Sequence, residues 1–190
     1  MDVWQAMQER RSCRSFRPDP VDPKTVERIL EAGTWAPSPL NMQPWQFVVV
    51  TSSEVREAVF QEAERCRAWA REESGWEWLD KYQVDFLRQT PVLVVVIGDP
   101  RKTGVDQFQQ EGNVAYQHAC AAAIQNMLLA AHALGLGGLW FTFFDRTNLR
   151  GILDVEKERM PVGIVCLGHP DKAPRPIPRK AASEKTRNIG

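Results

Sequence analysis

Residues 9–16 read Glu9-Arg10-Arg11-Ser12-Cys13-Arg14-Ser15-Phe16, and residues 36–45 read Ala36-Pro37-Ser38-Pro39-Leu40-Asn41-Met42-Gln43-Pro44-Trp45. In the first stretch three guanidiniums and two hydroxyls fall within six residues. If the segment is extended, Arg10, Ser12 and Arg14 share one face. Arginine's planar, permanently charged fork suits a phosphate dianion, and hydroxyls complete the acceptor shell. The same residues also read as a solvated basic helix end, because cations favour helix C-termini and charge runs commonly face water. In the second stretch Pro37 and Pro39 stop a preceding helix. Asn41 and Gln43 follow as polar amides that suit a ligand, a turn or a strand cap equally well.

The rest of the chain sets bounds around these two stretches. With 190 residues, 43% hydrophobic and 25% charged, it suits one globular domain with a real core, or half of an intertwined dimer. Twenty-four basic residues balance twenty-four acidic ones. The total charge therefore names neither nucleic acid nor an anionic membrane as partner, and any anion site must be local. Residues 9–17 hold four arginines against one glutamate, and residues 171–190 hold six basic residues against two acidic ones. Cys13, Cys66, Cys120 and Cys166 are scattered without metal or disulfide spacing, which fits a reducing, cytoplasmic setting. Residues 112–144 lack Asp, Glu, Lys and Arg, but Asn113, Gln117, His118, Gln125, Asn126, His132 and three glycines argue for a helix buried in protein, not in lipid.

In chain order, Asp2 caps a first helix carrying Val3, Trp4 and Met7. Asp22-Pro23 starts a second, running to about Trp35, with Val21 and Val26 spaced as a hydrophobic staple. Residues 46–50 form a short buried strand, and Ser52 or Ser53 caps the next helix, with Val55, Ala58, Val59, Glu62, Ala63 and Cys66 at helical spacing. Residues 62–90 mix Trp69, Trp76, Trp78, Tyr82 and Phe86 with acids. They read as one or two peripheral helices, either a lid over a pocket or ordinary packing, with Gly75 a break. Residues 91–98 make a second strand, apolar on both faces. Residues 113–134 are expected to form the longest helix, apolar all round, with Gln125 and Asn126 as buried amides needing partners. Gly135-Leu136-Gly137-Gly138 ends it before a strand at 139–143, a short helix at 148–153 and a last strand at 160–168. The order helix, glycines, strand is wrong for a dinucleotide fingerprint.

Together, the Arg-Arg-Ser-x-Arg run and the Pro-Ser-Pro-Leu-Asn-Met-Gln-Pro-Trp loop resemble the N-terminal signature of the nitroreductase-like flavoproteins. The resemblance spans nearly the whole chain, including the turn near Gly137, Gly168-His169-Pro170 and the basic tail. It implies an α+β fold, a central mostly antiparallel sheet flanked by helices, built as an intertwined homodimer from one domain over residues 1–190. It also implies FMN as cofactor, reduced by NADH or NADPH. Arg10, Arg11, Ser12 and Arg14 would hold the FMN phosphate, joined by a basic residue of the extended tail at 171–190. Arg179 matches that residue best and Lys180 next; Arg175 lies in the same run. Asn41 and Gln43 would border the pyrimidine edge, Pro37, Ser38 and Pro39 would shape the loop from the neighbouring subunit, and Gly138, Leu139 and Trp140 would border the ring. The helix at 113–134 would lie at the centre of the dimer.

Neither a Ser-His-Asp order, a metal-ligand cluster nor a spaced carboxylate pair stands out, and His118, His132 and His169 read as structural. Chemistry must then come mainly from a bound cofactor. The expected activity is ping-pong hydride transfer from NAD(P)H to an electron-poor small molecule such as a nitroaromatic or quinone. Relatives implied by the same resemblance are a flavin-dependent dehalogenase and an enzyme that fragments its own flavin. A non-catalytic flavin- or nucleotide-binding dimer is the reading from another class.

Overall fold

The computed structural model describes residues 1–110, 112–172 and 176–190; Arg175 of the basic tail lies outside them. The run of valines from Val92 to Gly98 forms strand β2, buried along its whole length. It pairs antiparallel with β1 (Trp45–Val50) on one side and β4 (Met160–Gly168) on the other, and β3 (Gly137–Phe141) pairs antiparallel with β4. The sheet order is β1-β2-β4-β3. Period-2 alternation splits β2 between two cores: Leu93, Val95 and Ile97 face one, and Val92, Val94 and Val96 the other. A strand buried on both faces reads as a continuous apolar run, as this one does.

Helices cover both faces. On one side lie α2 (Pro23–Thr34), through Val26 and Ile29, and α5 (Ala115–Ala133), through Cys120, Ile124, Met127, Leu128 and Ala131. On the other lie α3 (Ser53–Ser74), α4 (Phe86–Gln89) and α6 (Arg146–Ile152), through Val59, Phe60, Ala63, Phe86, Leu87 and Leu149. A short α1 (Val3–Glu9) opens the chain, with Asp2 closing a capping box onto Gln5. Asp22 caps α2, with Pro23 in its first turn. No helix among the described residues is long and apolar enough to cross a membrane.

Four local expectations change. The longest helix is α3, with 22 residues against 19 for α5. Its polar length is supported by pairs one turn apart, Arg65 on Glu62 and Arg67 on Glu64, until Gly75 stops it at φ 69°. β1 is an edge strand with Gln46 and Val49 exposed, because β2 is the one strand paired with it among the described residues. β3 begins two residues early, at Gly137, because an unbranched glycine backbone fits against Gly168 and the buried Cys13. Of the two amides on α5, Asn126 donates to the Ala32 carbonyl at 3.1 Å across the α2–α5 contact, but Gln125 is exposed.

Candidate cofactor site

Residues 10–21 form an extended strap across one end of the sheet. Ser12 bridges to Gly138 and Phe16 to Pro170, and the Cys13 N–H donates to the Gly138 carbonyl at 3.0 Å. Arg17 N–H donates to the His169 carbonyl, and the Ser15 hydroxyl donates to Asp171 at 3.0 Å. Cys13 and Phe16 point inward and are buried, which leaves Ser12 and Arg14 on the outer face. Gly137 is what admits Cys13: a β-carbon there would sit 2.8 Å from the Cys13 Sγ.

The guanidiniums divide between two cavities. Arg10 and Arg11 line one of about 370 Å³ together with His132, Gly137 and Gly138. Arg11 turns its Nη1 back onto the carbonyls of Gln8 and Arg10, closing the end of α1, and its buried Nε has no partner. Arg14 lines a second cavity with Lys81, Tyr82 and Phe86. Burial lowers the Arg10 pKa first, and the charges of Arg11 and then Arg179 lower it further. The tail thus brings Arg179 into the field of Arg10, with Lys180 exposed beside it. Among the described residues no ion pair involves Arg10, Arg11, Arg14 or Arg179. Guanidiniums that gather with no ion-paired carboxylate among the described residues, although Glu9 lines the same cavity, fit a phosphate-bearing ligand.

The second stretch forms a strained loop. Leu40, Asn41 and Gln43 all have positive φ, at 49°, 54° and 46°, a costly set for residues with side chains. The Ser38 hydroxyl accepts from the Gln43 N–H at 3.1 Å, and the Gln43 amide donates to Asn41 Oδ1 at 3.3 Å. Pro39 packs against Gly104. Leu40, Asn41 and Gln43 are all exposed.

Within one chain this loop does not meet the arginines. It enters the sheet at Trp45, which pairs with Gly98 and through it with Met160; Ser12 meets Gly138, which pairs with Leu167 at the other end of β4. Those ends are about 24 Å apart along β4, and three strand spacings separate β1 from β3, so the diagonal is about 28 Å. Gly138 and Leu139 are buried, whereas Trp140 is 38% exposed and lays its indole over Gly163.

Three features near the site carry weaker sequence signals. His132 has a buried Nε2 with no hydrogen-bond partner, 3.9 Å from Glu9 Oε2, and lines the arginine cavity; one histidine on a helical face gave no sign of this. Glu62, 6% exposed, fixes the turn after β3. It accepts from the Asp145 N–H, the Asn148 amide, the Cys66 thiol and Arg65. Its signal was a carboxylate standing at an apolar position of the α3 stripe. The aromatic segment is a ladder: Trp76 stacks on Trp78, Trp78 meets Tyr82 edge-on, and Tyr82 contacts Phe143. A 3-10 turn at Glu77–Lys81 carries it, tied back to α3 by Arg71 on Asp80 and Arg67 on the Leu79 carbonyl.

A family profile described as the Nitroreductase family matches residues 7–169, a span that takes in the strap, the loop and all four strands. The chain belongs to the nitroreductase family. This nitroreductase-family chain is 35% identical over 178 residues to the 5,6-dimethylbenzimidazole synthase of Rhodospirillum rubrum, covering 90% of its own length and 82% of that relative. Its fold matches a BluB-like flavoprotein from Clostridium difficile 630, with TM-score 0.81, 22% identity and 100% of both chains covered. It also matches an oxidised iodotyrosine deiodinase bound to FMN and 3-iodo-L-tyrosine, with TM-score 0.81, 22% identity, and 95% and 96% covered. The nitroreductase fold, α+β with an antiparallel sheet between helices, is thereby established.

Proposed function

We propose that this protein is an FMN-dependent oxidoreductase that takes hydride from NADH or NADPH and passes it to an electron-poor small molecule by a ping-pong mechanism. The observation that carries the reading is the convergence of Arg10, Arg11 and Arg179, none ion-paired among the described residues, beside the β3 edge. When bound, FMN supplies the two-electron hydride chemistry that the side chains themselves lack. Arg10, Arg14 and Arg179, with the Ser12 hydroxyl, would hold the phosphate, and Arg11 would hold the end of α1 against it. Backbone groups of Gly138, Leu139 and Trp140 would border the ring, where a preorganised N–H stabilises developing negative charge.

The loop of Pro37, Ser38, Pro39, Asn41 and Gln43 would complete the site from a second copy of the chain, since about 28 Å separates it from the strap of its own chain. The exposed Val3, Trp4 and Met7 of α1 are apolar surface that such a homodimer has available to bury. Four reduced, buried cysteines support a reducing cytoplasmic setting. The test is spectroscopic. The isolated protein is expected to be yellow, to bleach with NADH or NADPH under nitrogen, and to recover its colour with a nitroaromatic or quinone. Protein that cannot be reconstituted with FMN rejects the reading.

A second reading is favoured by the identity with the dimethylbenzimidazole synthase: turnover that fragments the flavin. Aerobic incubation with NAD(P)H and excess FMN, followed by chromatography for 5,6-dimethylbenzimidazole, separates the two. Product formation at the expense of FMN selects fragmentation, and its absence alongside acceptor reduction selects hydride transfer.

A further inference from the structure

Trp69, Trp76 and Trp78 are 60%, 59% and 54% exposed, an unusual display for the residue with the most apolar surface to hide. Trp69 stands on the C-terminal turns of α3, and Trp76 and Trp78 lie together at the 3-10 turn at Glu77–Lys81 that follows. The Trp76 and Trp78 ring centroids are 6.1 Å apart with planes inclined by 30°, so each supports the other and leaves ring surface facing solvent. From Trp78 the ladder continues through Tyr82 to Phe143, two residues past the end of β3. Tyr82 and Lys81 also line the cavity that holds Arg14. The rings therefore run from open solvent to the edge of the proposed flavin site.

The charges around these rings are of one dominant sign. Glu72, Glu73 and Glu77 are exposed and form no ion pair among the described residues, whereas Asp80 is neutralised by Arg71 and Asp85 by Arg88. Lys81, the one cation of the segment with no ion pair among the described residues, stands on the side of the Arg14 cavity. An indole face with carboxylates at its rim attracts a cation twice over, through the ring quadrupole and through charge. An anion is repelled by both. A flat ring stacks on tryptophan whatever its charge.

We infer that the Trp76–Trp78 platform is a capture site at the mouth of the proposed flavin site and gathers planar aromatic acceptors that carry a positive charge. This rests on the oxidoreductase reading above and narrows its substrate class. For a cationic nitroarene, one turn takes a hydride from NAD(P)H and a proton from solvent and converts the nitro group to nitroso with release of water.

The test compares three probes of one shape on the FMN-loaded protein: (4-nitrobenzyl)trimethylammonium, 4-nitrobenzyl alcohol and 4-nitrobenzoate. Equilibrium dialysis without NAD(P)H is expected to give a dissociation constant about tenfold lower for the cation than for the alcohol at low salt, with the benzoate weakest. Raising salt to about 0.5 M should erase most of that difference in the unaltered protein. The triple variant Glu72→Gln, Glu73→Gln, Glu77→Gln should cut the cation's advantage to the few-fold that the ring quadrupole supplies, and Trp76→Ala with Trp78→Ala should weaken all three. Equal binding of the probes by the unaltered protein, or a cation preference undiminished by both high salt and the glutamine variant, overturns the inference. Flavin that bleaches and is reoxidised equally well by all three also overturns it and leaves the oxidoreductase reading standing. Preferential binding of the cation without any NAD(P)H-driven bleaching does the reverse.

Discussion

Replacing Glu62 with glutamine keeps the shape of the side chain and removes its charge. Burial pushes the Glu62 carboxyl pKa up, but Arg65, the Cys66 thiol, the Asp145 N–H and Asn148 together outweigh it and bring the pKa from 4.5 to about 2. At about 1.36 kcal/mol per pH unit, the ionised form stabilises the fold by about 3 kcal/mol. The folded value lies below the unfolded one. The contribution is therefore full above about pH 5 and is lost as pH falls toward 2, with about 2 kcal/mol already gone at pH 3. Glutamine also presents an N–H₂ to groups that are all donors, which leaves some of them unsatisfied. Urea unfolding followed by far-ultraviolet circular dichroism, at several pH values from 3 to 7, reads both effects. Glu62→Gln should cost about 2–3 kcal/mol at pH 7, and the gap from the parent should narrow to about 1 kcal/mol at pH 3. A gap that stays constant across that range, or is absent at pH 7, refutes the assignment of Glu62 as a charged anchor for the turn after β3.

Other substitutions probe other parts of the molecule. Arg10→Ala and Arg14→Ala should each weaken FMN binding by about 1.5–3 kcal/mol in a fluorescence titration while the circular dichroism spectrum is kept; unchanged titration removes that residue from the phosphate site. Gly163→Ala would set a methyl carbon 2.2 Å from the Trp140 Nε1, so the indole must swing away. A loss of about 1–3 kcal/mol in thermal or urea unfolding is expected, and a neutral result would mean that Trp140 does not rest on β4. Asp99, 2% exposed, accepts from Arg101 and contacts Arg159 at 3.0 Å, and the Arg101 side chain is the leading reason its pKa is lowered. Asp99→Asn should cost about 2–4 kcal/mol at pH 7 in the same unfolding assay, and a cost under about 0.5 kcal/mol would assign the ion pairs no weight.

Much of the local structure was legible because local chemistry dictates it. Asp22-Pro23 can hardly do anything but start a helix, Gly75 ends one, and six consecutive apolar residues from Val92 to Ile97 leave no face for water. What stayed hidden depends on partners distant in sequence. The Gln46–Val50 run reads as buried from its valines, but its exposure follows from the strand order, and no residue of β1 specifies that it ends the sheet. The length of α3 escaped periodicity because ion pairs on its surface, not an apolar stripe, carry it past Cys66. Within the candidate site, Ser12 and Arg14 share the outer face of an extended segment as their spacing allowed, but Arg10 caps α1 and turns into another cavity. The sequence could not divide the guanidiniums between two cavities, because that depends on where α1 ends and on the position of the Lys81–Tyr82 turn.

The distance between the strap and the 37–43 loop has a genetic corollary. If two copies exchange loops as proposed, a subunit damaged in Arg10 and another damaged in Asn41 each spoil the sites their own surfaces reach. A mixed pair then concentrates both lesions in one site and leaves the other with undamaged parts. Two inactive alleles expressed together should regain roughly a quarter of the sites, since random mixing makes half the pairs mixed and each of those keeps one good site. A protein whose strap and loop worked within a single chain would give no such rescue.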